Sequence, residues 1–200
     1  MKLYVSLTSP FARKVRVALE EKHLADRIET VLVDPWNDDG TLAAVNPLLQ
    51  VPTLARDDGL AITNSDTIMN WLDRAYPEPG LWPQDPDARF RAEAVAALAQ
   101  TVIEYAVFLV IESRRPESQR SAHMIERRRQ GIVDTAAALN DGFHASQEQF
   151  DLDSIGVACA LAYVDFRHPQ LDWRSRAPKL DAWMKWALQR PSMKATAPPA

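Results

Sequence analysis

A single cysteine, Cys159, is all that 200 residues contain, so no intramolecular disulfide can form and a reducing compartment is expected. Only six glycines are present, and they never gather into a phosphate-cradling loop. The four histidines, His23, His123, His144 and His168, show no paired metal spacing, so no metal site is expected. The formal charge of -4 and a pI near 5.6 supply no basic field for nucleic acid. The sequence begins on a strand pattern with no apolar leader, and no apolar run approaches the roughly 20 residues that cross a bilayer. These absences predict a cytoplasmic protein without nucleic-acid or membrane partners. Apolar content is not lacking. At 46% it can fill one large domain or two small ones.

Alternation around Leu3, Val5 and Leu7 predicts a first strand over 2–7. Ser9-Pro10 then starts a helix to about Leu24, with a hydroxyl N-cap and a residue pre-set for the first helical position. A helix N-terminus carries unpaired N–H groups and partial positive charge, so Ser9 either caps its own helix or also meets an anion. Residues 28–33 read as a second strand, 41–45 as a short helical piece closed by Asn46-Pro47, and 50–56 as a third strand. Asp57-Asp58-Gly59 turns into a fourth strand over 60–62. Asn64-Ser65-Asp66 caps a helix carrying Ile68, Met69 and Leu72, which stops at Tyr76-Pro77. A small mixed sheet with helices on it follows.

From Pro77 to Pro86 the composition turns proline-rich and irregular, marking a packed linker. Beyond it no strand pattern appears. Helices are predicted from about Phe90 to Pro116, from Gln119 to Ala145, over 151–166 and over 178–189, before a frayed Ala-Pro tail. The domains are therefore 1–77, a linker 78–87, and an all-helical 88–200. Arg127-Arg128-Arg129 reads as a solvated helix face, as do Arg114 and Arg115, and Cys159 reads as buried structure.

Ser9-Pro10-Phe11, Val51-Pro52-Thr53-Leu54, Asn64-Ser65 and residues 160–167, four motifs in register, together resemble the cytosolic glutathione transferase family, in particular small bacterial members of serine type. Ser9-Pro10-Phe11 followed by Arg13-Lys14-Val15-Arg16 resembles the family's active-site turn. Asn46-Pro47 with Val51-Pro52-Thr53-Leu54 resembles its loop with a cis-proline. Asn64-Ser65 sits where the family carries an acidic residue and a serine, and 160–167 resembles a C-terminal signature. The resemblance implies an α/β thioredoxin-like N-terminal domain plus an all-α C-terminal domain, and glutathione as co-substrate without a metal. It also implies a homodimer and a role in detoxification.

It further implies that Ser9 stabilises the glutathione thiolate as the catalytic residue. Val51 and cis-Pro52 would present a backbone ladder, Gln50 would lie near the glycine end, and Ser65, capping its helix, would meet the γ-glutamyl carboxylate beside Asn64. A hydrophobic electrophile would sit between domains, lined by Phe11, Trp36, Tyr105, Phe108 and Leu109. For Tyr105 and Phe108, helical spacing fits core and pocket equally. The sequence departs from the family at Asn64, commonly Glu or Asp, and at Leu49-Gln50, commonly Gly-Lys. Asp151 and Ser154 exchange the ends of a helix cap, so Asp151 can cap and Ser154 reach back. With no cysteine at the turn, the implied chemistry is conjugation rather than thiol exchange. A non-catalytic binding module, serving as a ligand carrier or a partner of transcription or translation machinery, is the alternative.

Overall fold

The computed structural model describes residues 1–143 and 150–199. The chain divides into two compact units, 1–82 with 190–200, and 83–189.

The first unit holds β1 (Lys2–Val5), β2 (Glu29–Leu32), β3 (Thr53–Ala55) and β4 (Ala61–Thr63), in the order β2-β1-β3-β4. Strand β1 pairs parallel with β2, which requires a crossover, and α1 (Pro10–Glu21) lies within it. The other pairings are antiparallel. Leu3, Val5, Leu54 and Ile62 of the sheet are buried, as are Val15 and Leu19 of α1 and Ile68 and Leu72 of α2 (Ser65–Ala75), and these residues make the core of the unit. The first three strands are shorter than their sequence patterns, and β4 is shifted by one residue. Val51 and Pro52 fall outside β3, and proline has no N–H to enter a ladder.

Helix α1 also stops early, at Glu21. His23 adopts φ 55°, its N–H bonds the Glu20 carbonyl, and the Leu24 N–H bonds that of Leu19. This left-handed cap satisfies the last carbonyls and buries Leu24. Residues 41–45 are turns rather than a helix, because Asp38 accepts the N–H groups of Gly40, Leu42 and Ala43 with its carboxylate. The proline-rich stretch is packed on α2 as far as Trp82. Buried Lys22 binds Asp73 at 3.0 Å and donates to the Pro79 carbonyl at 2.6 Å. The Asp73 carboxylate also accepts from Leu81 N, and the Trp82 indole donates to Asn70.

The chain end is a further correction. Residues 191–195 form α7 (Pro191–Ala195), which packs on α1 and so belongs to the first unit, not to a helical domain extending through 200. Arg13 donates to the Met193 carbonyl, and Arg190 holds Glu21 at 2.7 Å. Met193 and Thr196 are buried, so the segment is docked rather than frayed up to that point.

The second unit contains α3 (Pro86–Ser113), α4 (Ala122–Gly142), α5 (Leu152–Arg167) and α6 (Pro178–Ala187). Helix α3 overturns the expectation about apolar runs: it is long and apolar enough to cross a membrane by length and composition, with 28% of its most apolar window buried. Glu104 is the only charged residue between Val95 and Ile111, and isolated Gln, Thr and Tyr masked the run. Helix α3 packs on α4 and most extensively on α5, where Gly156 lets the Ala99 side chain approach its backbone. Helix α4 starts at Ala122 because Ser121 caps it, accepting from Met124 N. The expected continuation to His144 and Ala145 lies outside the described residues. At α5 the exchanged cap is absent. The Asp151 side chain makes no cap hydrogen bond, and Asp153 accepts the Ser154 N–H at 2.8 Å instead. Cys159 is buried inside α5.

Candidate functional site

The sheet register gathers the chemistry of the first unit at one end. Tyr4 pairs with Thr53, and Thr53 with Thr63. The segments following β1, preceding β3 and following β4 therefore leave the sheet together. Val5 pairs in parallel with Leu32, so the loop carrying Trp36 leaves there too. Helices α1 and α2 both begin at this end, each with its unpaired N–H groups.

Ser9 is half-buried and extended (φ −78°, ψ 122°), with its Oγ accepting from Ala12 N at 3.2 Å. That contact occupies an oxygen lone pair and leaves the O–H to donate. Phe11 is half-buried in the first turn of α1.

Asn46, 1% exposed, shapes the loop before β3. Its amide donates to the Gln50 carbonyl at 3.0 Å and to Thr53 Oγ1 at 2.9 Å, and its Oδ1 accepts from Leu48 N. Thr53 Oγ1 donates back to the Gln50 carbonyl. The Val51–Pro52 bond is cis. Among the described residues, Val51 makes no hydrogen bond through its N–H or C=O, so both are available to a peptide-like ligand. Gln50 is exposed. Leu49 adopts φ 53°, in the left-handed region that favours glycine.

At α2 the roles of two neighbours differ from expectation. Asn64, not Ser65, is the cap: at φ 70° its Oδ1 accepts from Asp66 N and Thr67 N. Asn tolerates that backbone, and once it supplies the cap, Ser65 becomes the first helical residue. Ser65 is 2% exposed, and its Oγ is buried without a partner among the described residues. An unpaired buried hydroxyl at a helix N-terminus fits an incoming carboxylate. Asp66 does not stand in openly for the missing acidic residue, because buried Lys14 holds its carboxylate. Sequence reasoning missed Asn46 as the organiser of the loop and Lys14 as the ion holding Asp66. Only the Asn-Pro motif pointed to the first.

Trp36 is 63% exposed, with its backbone N–H on Asp34. Tyr105, Phe108 and Leu109 belong to the second unit. Tyr105 and Phe108 are half-buried together beneath Arg128, whereas Leu109 is in the core. Arg115 pairs with buried Glu112, which also accepts from Ser121 N and is thereby held below its ordinary acidity range. Burial raises the pKa of Tyr163, opposed by Arg167 and Arg114.

Residues 8–75 match the glutathione S-transferase N-terminal domain, and 122–185 the C-terminal domain. The Escherichia coli K12 "uncharacterized GST-like protein YibF" is 31% identical over 203 residues, covering 100% of this chain and 99% of that one. This chain belongs to the glutathione S-transferase family. A family member from Pseudomonas fluorescens Pf-5 is 35% identical, with TM-scores of 0.93 in its crystal structure with bound glutathione and 0.90 with bound S-(propanoic acid)-glutathione. Those matches cover 100% of this chain and at least 99% of that one. The stringent starvation protein A homolog of Histophilus somni is 30% identical over 86% of this chain and 76% of its own length. The fold is that of the glutathione transferases, a small mixed sheet with its helices followed by an all-helical unit.

Proposed function

We propose that the protein is a cytoplasmic, homodimeric glutathione transferase that activates the glutathione thiol for attack on a small hydrophobic electrophile. The observation that carries this reading is the convergence of Ser9, Val51 and Ser65 at one end of the sheet, with an unspent O–H, an unpaired backbone ladder and an unpaired buried hydroxyl. The glutathione bound by the Pseudomonas relative supports the choice of thiol. Residues 1–77 form the glutathione-binding domain: Ser65 takes the γ-glutamyl carboxylate, Val51 beside Pro52 pairs with the cysteinyl backbone, and Gln50 reaches the glycine end. Asn64 acts through its cap rather than as a counter-charge. The proposed electrophile contacts are Phe11 and Trp36 in the first unit and Tyr105 and Phe108 in the second, while Leu109 serves the core.

Ser9 does its work as a donor. A free thiol has a pKa of about 8.5, so only a few per cent is ionised at pH 7. A hydrogen bond to the thiolate contributes about 1.5–3 kcal/mol, and the start of α1 about 0.3–2 kcal/mol. Together these lower the pKa by roughly two units, less what desolvation of sulfur takes back. The thiolate then attacks the electrophile without a general base. Ser9→Ala is expected to cut the rate of conjugation to an aryl halide tenfold or more while the circular dichroism spectrum stays native. An unchanged rate removes Ser9 from the mechanism.

A second reading, a binding module of the same fold, has its own support. Asn64 carries no charge, and Asp66 is engaged by Lys14, so the γ-glutamyl ammonium lacks a dedicated carboxylate. Retention on immobilised glutathione separates the two. No retention, with none recovered at millimolar glutathione in solution, favours the module.

A further inference from the structure

Helix α4 turns the three arginines at 127–129 in different directions. Arg127 and Arg129 are exposed, but Arg128 is half-buried, its guanidinium carbon 4.0 Å from the centre of the Phe108 ring and 4.8 Å from that of Tyr105. Gly131 admits this arrangement: a Cβ there would stand 2.8 Å from Tyr105 Cε2 and displace the ring. Arg89, Arg115 and Arg174 of the same unit each hold a carboxylate. Among the described residues, Arg128 has neither a hydrogen bond nor an ion pair, and its Nε is buried without a partner. A guanidinium stacked on rings is fixed in orientation and keeps its N–H edge for a planar, two-oxygen anion. A cation held this way, without an internal carboxylate, suits one brought by a ligand.

We propose that Arg128 sets acceptor specificity, selecting electrophiles that carry a carboxylate beside their apolar body. This rests on the reading above, in which Tyr105 and Phe108 line the acceptor pocket of a glutathione transferase. The rings pack against the apolar body of the acceptor, and the guanidinium edge takes its carboxylate in a paired contact. An ammonium could supply the charge at this place but not the paired contact.

Calorimetry on the full chain at pH 7 with glutathione and two conjugates tests the assignment without depending on turnover. The conjugates are S-(4-carboxy-2-nitrophenyl)glutathione and its 4-carbamoyl counterpart, which differ only in the charged group. The wild-type protein is expected to bind the carboxylate about tenfold more tightly than the amide. Arg128→Met brings that ratio close to one, and Arg128→Lys lowers it severalfold, which carries the test if the methionine variant does not fold. Binding of glutathione without discrimination between the conjugates overturns the role of Arg128, as does a ratio that survives both substitutions. Failure of glutathione itself to bind overturns the glutathione reading, and this one with it.

Discussion

Ser65 shows how function is written at the scale of one residue. A buried hydroxyl without a partner costs stability, on the order of 1–3 kcal/mol, until a ligand satisfies it. Ser65→Ala is therefore expected to leave thermal stability of the ligand-free protein equal or higher, while glutathione affinity measured by calorimetry falls at least tenfold. A loss of stability without ligand would show that Ser65 serves the fold instead. The sequence suggested Ser65 both for an anion and for the cap, and Asn64 provides the cap, because the two residues share cap preferences and only the backbone angle separates them. His168 carries a second residue-scale expectation. It is buried at the end of α5, its Nε2 2.8 Å from the Ala106 carbonyl, and burial lowers its pKa below 6.5, with Arg129 and Arg167 acting in the same direction. The unfolded chain then binds a proton that the folded one refuses, so stability is lost as pH falls below about 6.5. Thermal midpoints should drop from pH 7 to pH 5.5, and His168→Gln should flatten that slope. The acidic groups held below their ordinary range, such as Asp141 and Asp181, act only at lower pH.

At the scale of elements, helix starts were more legible than helix ends and strand limits. Ser9-Pro10 announces α1 through a capping side chain and a proline, both local chemistry, whereas α3 starts at Pro86 under an Asp85 cap, four residues before the expected Phe90. The end of α1 is set by His23 in the left-handed region, a place where the sequence offers no glycine to announce it. His23→Gly should stabilise the protein by about 0.5–1 kcal/mol in denaturant unfolding, since the cap geometry is kept and the backbone strain removed. A destabilised variant would show that the histidine side chain contributes more than its backbone costs. Residues 41–45 mislead for a different reason. Their apolar spacing is helical, but the Asp38 carboxylate takes the N–H groups locally and holds them in turns. On α3, helical spacing left Tyr105 and Phe108 equally suited to core and pocket; both lie half-buried under Arg128, whereas Leu109 is buried in the core.

At the scale of the molecule, the order of patterns revealed a sheet unit followed by a helical unit, because strand patterns alternate with helical ones only before the proline-rich stretch and no strand pattern follows it. The return of 190–196 to the first unit was not visible. It depends on Arg13, Arg16 and Glu21 of α1 meeting groups some 170–180 positions away, and nothing local in the tail reports that. The single chain also leaves much of α3 uncovered, including Phe90, Leu98 and Ile111, and a homodimer is expected to have use for such a surface. The proposed three-part glutathione site depends on the sheet as a whole, since three segments far apart in sequence reach one end only through the register of β1, β3 and β4. The measurement that tests it most directly is a titration of bound glutathione by thiolate absorbance, for the wild-type protein and for Ser9→Ala. The bound thiol is expected to ionise roughly one to two units below the free value of about 8.5, with Ser9→Ala returning most of that shift. A bound thiol that ionises at the free value in the wild-type protein would contradict it.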